Sequence, residues 1–391
     1  MRGKSHEEQS AASQSLAGTL DTVFWLDRPD TPQPVDALSG QTTADLVIVG
    51  AGFTGLWTAL VAAEADPGRR IVVLEAETTA FGASGRNGGF CEASLTHGLA
   101  NGLAHWPDEL DTLLRLGDEN LDDLLDTIDR HAIDCDAERT GRMDIAVEPW
   151  QVDELLQLAE ASSRLGVDHA MLDTEAIRAE IDSPTYLAGL WHRTDAAMVD
   201  PARLAWGLQS AARSLGVVFH DNSPVCSIKR SGAGIEVQTD RGRVMADRAV
   251  VATNAYRRPL SRIRHHVIPV YDHVLMTEPL STDQWSAIGW GNRQGLSDAG
   301  NQFHYYRRTA DGRILWGGYD IIYHFGGRVG PSVEHHAPTT RRLAQSFFHT
   351  FPQLGGLRFT HRWSGPIAST TRFTCAWGTT HAGRVSWAAG Y

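Results

Sequence analysis

Lysine is almost missing from this 391-residue chain: of 35 basic residues only Lys4 and Lys229 are lysine, and the rest are arginine. A pyridoxal Schiff base needs a lysine, and only Lys229 lies in what reads as folded chain, so that chemistry is disfavoured. A P-loop is excluded too, because Gly3-Lys4-Ser5 leaves no room for a preceding strand. Cysteine is equally sparse. Cys91, Cys135, Cys226 and Cys375 form no C-x-x-C pair, which is the usage of a reduced, cytoplasmic protein. Positive charge is short as well, and a net charge of -12 offers no field to nucleic acid or anionic lipid. The 17 histidines include no H-E-x-x-H, and the pairs His265-His266 and His335-His336 are adjacent, so no protein-ligated metal is expected. Long apolar runs are absent. The longest, Leu46 to Ala63, is broken by three glycines and two threonines, so neither a membrane span nor a signal peptide is expected.

What remains is ordinary globular composition, 42% hydrophobic and 21% charged, over a length suited to two or three domains. Residues 1 to about 22 read as a polar, mobile tail, followed by an apolar clip at Val23-Phe24-Trp25-Leu26. The run Asp45 to Val49 is almost wholly apolar and β-branched, as in a parallel strand covered on both faces. It enters Gly50-Ala51-Gly52-Phe53-Thr54-Gly55, a helical stretch to Ala65, and a second strand over 70–74 that ends at Glu75. Leucines from 110 to 125 recur at helical spacing, predicting an amphipathic helix or helix pair between Trp106 and His131. Asp200-Pro201 opens another helix that Gly216 closes. Strands at 225–229, 235–239 and 248–252 form a small antiparallel meander, and 260–360 reads as a second, mostly antiparallel sheet.

Strand, glycine turn, helix, strand and terminal acid together make a complete dinucleotide-binding unit. Gly50 permits the tight turn, Gly52 lets backbone approach a pyrophosphate, and Gly55 lets helix and strand pack closely, while Glu75 is placed to accept the adenosine ribose hydroxyls. A carboxylate there disfavours a 2′-phosphate. A second glycine-rich segment, Gly82-Ala83-Ser84-Gly85-Arg86-Asn87-Gly88-Gly89-Phe90, can bring backbone donors and one guanidinium against a further stretch of extended cofactor, which a nicotinamide enzyme does not obviously need.

These two segments, with the strand ending Ala252-Thr253-Asn254-Ala255 and with Trp363-Ser-Gly-Pro366, resemble the FAD-dependent D-amino acid oxidase and glycine oxidase superfamily. The closest resemblance is to its bacterial amine branch, the γ-glutamylputrescine oxidoreductase-like members. It implies an α/β fold: a Rossmann-like FAD-binding domain of the GR2 type and a second α+β substrate domain built on an antiparallel sheet. The implied division is a tail and clip over 1–40, a discontinuous FAD domain over 41–96, 198–258 and 361–391, and a substrate domain over 97–197 and 259–360. It implies FAD contacts from Gly50, Gly52, Phe53, Thr54, Gly55 and Glu75, from Ala83, Ser84, Arg86, Asn87, Gly88 and Gly89, and from Val225 and Thr253. Family members continue into a glycine-rich stretch after a sequence like Ala388-Ala389-Gly390-Tyr391, so a truncated C-terminus is expected. Glycine oxidases carry a carboxylate-pairing arginine two residues after the W-x-G glycine. Here that place is Ile367.

The chemistry the resemblance implies is oxidation of an amine or amino acid C–N bond to an imine by hydride transfer to flavin, with no side-chain catalytic residue and a small-molecule amine as substrate. Substrate contacts are expected from Tyr305, Arg307, Arg362 and Trp363, although strand alternation alone does not choose which face of 303–307 meets the site. Some sarcosine oxidase-like relatives place a lysine above the flavin to promote reaction with oxygen, and neither Lys4 nor Lys229 is placed to do so. The alternatives are an NAD-dependent dehydrogenase, which leaves the 82–90 segment unexplained, and a non-catalytic or truncated flavin-binding scaffold.

Overall fold

The computed structural model describes residues 12–256, 259–260 and 265–390; Lys4 and Tyr391 lie outside them. Strand β1 (Gly40–Val49) runs parallel to β2 (Ile71–Leu74), with the helix Phe53–Ala65 between them. Neighbouring residues of these strands enter opposite cores: Val47, Val49, Val72 and Leu74 on one face, Leu46, Ile48, Ile71 and Val73 on the other. Burial on both faces is why the two runs are apolar without alternation. The 82–90 segment contains a one-turn helix, Ala83–Arg86, before β3 (Phe90–Glu92).

A single helix, Leu110–Arg130, takes up the leucine periodicity. Then come β4 (Arg142–Ala146), β5 (Ala170–Leu172), β6 (Ala188–His192) and β7 (Ala196–Met198), and the helix Pro201–Ser214. Asp200 caps that helix, accepting from the N–H groups of Ala202 and Arg203 at 3.1 Å each. Strand β8 (Val218–His220) precedes the meander of β9 (Ser227–Ser231), β10 (Gly234–Gln238) and β11 (Gly242–Val251). The remaining strands are β12 (Ile268–Thr277), β13 (Gly295–Asp298), β14 (His304–Arg308), β15 (Ile314–Gly318), β16 (Phe359–Ser369), β17 (Ala376–Thr380) and β18 (Val385–Ala389).

Two eight-stranded sheets result. The first runs β17-β18-β11-β1-β2-β8, with β10 and β9 extending from β11; its central pairs are parallel. The second runs β16-β12-β15-β14-β13-β4-β6-β5 and is antiparallel except at β13–β4. The boundary expected at 361 falls inside β16, whose residues pair with β12 from Phe359 to Ser369, so the chain returns to the first sheet only after Ser369.

The amino-terminal segment departs from the expected mobile tail. Ala12 is fully buried in the core of the second sheet, Thr19 donates to the Phe359 carbonyl at 2.9 Å, and Leu20 exchanges backbone bonds with Thr360 and Arg362. From Ala12 onward the segment is therefore a strap along β16. Phe24 and Trp25 of the clip pack on Val274, Met276, Leu315 and Trp363.

Candidate functional site

The turn after β1 opens into a cleft of about 1930 Å³. Gly50 has φ +106° and a Cβ there would lie 2.7 Å from the Ala252 carbonyl oxygen, while a Cβ at Gly55 would collide with the Gly50 carbonyl. The helix that follows has Gly52 at its N-cap and no side-chain cap; the Phe53 N–H donates to the Ser84 hydroxyl at 2.8 Å. Its remaining first-turn N–H groups and their partial positive charge suit a pyrophosphate. At the end of β2, Glu75 accepts from the N–H of Ala51 at 2.7 Å and of Glu77 at 3.1 Å, and each carboxylate oxygen retains a lone pair for a hydroxyl. Burial pushes its carboxyl above the ordinary range, opposed by those two donors.

The cleft is lined by Gly50, Gly52, Phe53 and Thr54 from the first turn, Glu75 from β2, Ala83, Ser84 and Asn87 from the second glycine segment, and Val225 and Thr253 beside the meander. Gly55, Arg86, Gly88 and Gly89 lie behind this lining. Arg86 is turned away from the cleft's first turn: its guanidinium donates to the carbonyls of Phe81 at 2.9 Å and Ser364 at 3.0 Å and pairs with Glu334 at 2.9 Å. A Cβ at Gly88 would lie 2.9 Å from the ring of Tyr305, and one at Gly89, where φ is +78°, would collide with the Val199 carbonyl.

Tyr305, Arg307 and Trp363 touch this segment from behind. The indole of Trp363 donates to the Arg86 carbonyl at 2.8 Å and that of Trp25 to the Asn87 carbonyl at 2.9 Å. Arg307, fully buried, donates to the carbonyls of Gly89 at 3.1 Å and Val199 at 2.6 Å. Consecutive carbonyls from Arg86 to Gly89 are thus held by donors from the clip, β14 and β16, which fixes the cleft-facing side of the segment. Burial pulls the Arg307 guanidinium down to about 10; its Nη1 is committed to backbone carbonyls, while its buried Nε–H has no partner. Tyr305 donates to Asp272 and packs edge-on against Phe90, while His304 and Tyr306, on the opposite face of β14, join Trp316 in the core of the second sheet.

A side pocket of about 580 Å³ adjoins the cleft, sharing Phe81, Pro331 and Glu334 with it; Arg362 and Trp363 line it, and Arg362 is paired with Asp21. The sequence reading did not single out Tyr256, Glu334 or His273. Tyr256 lines the cleft with a buried hydroxyl that has no partner, and a Cβ at Gly82 would lie 3.1 Å from its ring. Burial raises its pKa, so the hydroxyl is a donor. Glu334 follows a short 3-10 turn in a glycine-rich loop, and His273 lies mid-strand in β12; neither position carries a periodic signal. Cys91 also lines the cleft, and burial pushes its thiol up to about 11, leaving it protonated and unreactive. Among the described residues no cluster of three or more His, Cys, Asp or Glu could hold a metal, and no helix is long and apolar enough to cross a membrane. The elongated cleft, the uncapped helix start and the unpartnered Tyr256 hydroxyl fit a dinucleotide.

Comparison with known proteins supplies the chemistry. The family described as FAD dependent oxidoreductase matches residues 45–391. The chain is 34% identical to gamma-glutamylputrescine oxidoreductase of Escherichia coli, over 86% of this chain and 76% of that protein. It is 29% identical to the probable oxidoreductase OrdL of Haemophilus influenzae, over 88% and 76% of the two chains. Among solved structures, glycine oxidase from Geobacillus kaustophilus superposes with a TM-score of 0.73 at 19% identity, covering 89% of each chain. L-proline dehydrogenase from P. horikoshii gives 0.70 at 18% identity, covering 90% of this chain and 88% of that one.

Proposed function

Because this chain belongs to the FAD-dependent oxidoreductase family, with FAD as its cofactor, we propose that it oxidises the C–N bond of an amine to an imine. With the flavin bound, the isoalloxazine supplies the hydride acceptor. The protein's part is then to hold the adenosine ribose at Glu75, to set the pyrophosphate against the helix start at Gly52, and to fix Ala83–Asn87 along the cleft from behind. It must also exclude water and orient the neutral amine. A nicotinamide enzyme falls away with the family membership, and so does a non-catalytic scaffold.

What supports an amine rather than an α-amino acid is the state of the arginines. Arg86, Arg307 and Arg362 are each committed to carbonyls or a carboxylate, and β16 carries Ile367 two residues beyond Gly365. Among the described residues, a substrate carboxylate on the reacting carbon would then displace one of these contacts to gain an arginine partner, and an unpaired buried charge costs several kcal/mol. Four unpaired cysteines favour a reducing compartment, and the cytoplasm is our proposal. The test is anaerobic flavin bleaching with γ-glutamylputrescine, putrescine, glycine, sarcosine and D-alanine; faster bleaching by sarcosine or D-alanine than by every amine overturns the reading.

A further inference from the structure

The side pocket beside Arg86 has a charge balance of its own. Histidine apart, three carboxylates, Asp21, Asp27 and Glu334, face two guanidiniums, Arg86 and Arg362, an excess of one negative charge. Arg362 is paired with Asp21 and Arg86 with one oxygen of Glu334. Asp27 at the rim meets no arginine; it lies 3.4 Å from His361 Nε2 and accepts from the Thr22 hydroxyl at 3.0 Å. Two buried groups on this wall are left unsatisfied. The second carboxylate oxygen of Glu334 has no hydrogen-bond partner, and neither ring nitrogen of His273 has one, although that residue is only 3% exposed. Buried polar atoms are ordinarily partnered, so three orphaned atoms on two side chains lining one pocket mark a place built for a ligand. Burial, reinforced by His336, lowers the His273 pKa to about 4, so at neutral pH one ring nitrogen is an acceptor. Two acceptors without donors and a surplus negative charge match a group that carries several N–H donors and a positive charge.

We propose that this pocket seats a second, non-reacting ammonium of the substrate, so that diamines and polyamines are preferred over monoamines. Glu334 and His273 accept its N–H donors, and Asp27, held by His361 and Thr22 rather than by an arginine, supplies a carboxylate at the mouth. Phe81, Pro331 and Glu334 border both the pocket and the main cleft, and the substrate of this proposal spans that shared wall. The proposal rests on the amine-oxidation reading, and the experiment separates the two. Flavin-loaded protein is titrated anaerobically with putrescine and with n-butylamine, which have four carbons each and differ by one terminal ammonium. Binding is read from the flavin absorbance shift and from the rise in melting temperature, and reduction from bleaching. Putrescine is expected to bind at least tenfold more tightly, and that ratio to fall toward one in Asp27→Asn and in His273→Leu. Asp27 is nearly half exposed, so its variant decides the matter if His273→Leu does not fold. Equal affinity for the two amines, no binding of either, or a ratio that persists in Asp27→Asn overturns the pocket. Preferential binding of putrescine without any bleaching overturns the oxidation reading and leaves the pocket standing.

Discussion

Glu75 holds two backbone N–H groups before any ribose arrives, so its replacement acts on the turn as well as on the cofactor. Glu75→Gln leaves one acceptor oxygen and removes the charge, and FAD binding is expected to weaken by about 1–3 kcal/mol, as for other charge-assisted bonds. A flavin-fluorescence titration measures it; unchanged affinity would remove the ribose role. His273 gives a pH dependence. Its pKa falls from 6.5 to about 4 on folding, so the buried neutral ring contributes stability that is full above pH 6.5 and is lost as pH drops toward 4. Wild type should therefore lose ground to His273→Gln on going from pH 7.5 to pH 5 in urea unfolding. A difference independent of pH would mean that the ring is not buried as described. Lysine scarcity also has a kinetic corollary. Lys229 is exposed on β9 and does not line the cleft, so with no lysine among the described residues at the cleft, reoxidation by oxygen should be slow and another acceptor faster. Rapid stoichiometric hydrogen peroxide formation would contradict it.

The second glycine segment is the element whose position most depends on others. Gly88→Val would drive a branched side chain into the rings of Tyr305 and Phe90, displacing Ala83–Asn87 from the cleft. The purified variant should be colourless with near-native helix content by circular dichroism; a yellow preparation would show that the segment tolerates the shift. The sequence foresaw the glycine spacing here but assigned a different cause, approach to the cofactor, because the ring that fills the space lies more than 200 positions downstream. The same contrast runs through the molecule. β1, its turn, β2 and the Asp200 cap were legible because their signals are local: apolar runs, glycines and a capping pair within a few residues. The strand 303–307 was legible as alternation, and its Tyr305–Arg307 face could be drawn but not assigned. Only the fold shows that this face braces the loop rather than lining the cleft. Glu334 and His273 were illegible because what distinguishes them is buried atoms left without a partner, one carboxylate oxygen and two ring nitrogens, a property of three dimensions alone.

At the scale of the whole chain, the backbone passes between the two sheets four times, so neither sheet is completed by a continuous stretch of sequence. The strap lies on β16, which is the outer strand of the second sheet, and Leu20 occupies backbone groups that would otherwise form part of an open edge. Exposed edges invite pairing with other chains. Removal of residues 1–22 should therefore raise light scattering at constant protein concentration. Equal scattering by the shortened and complete chains would show that β16 is protected in some other way. The strap also has an order of events written into it. Thr19 and its partner Phe359 are 340 positions apart, so a ribosome adding about 5–20 residues per second makes the guard on the order of 20–70 seconds before the edge it is to cover. The strap, made early, is thus among the last parts of the chain to find its place, and a bulky fusion at the amino terminus would act on that final step rather than on the cleft.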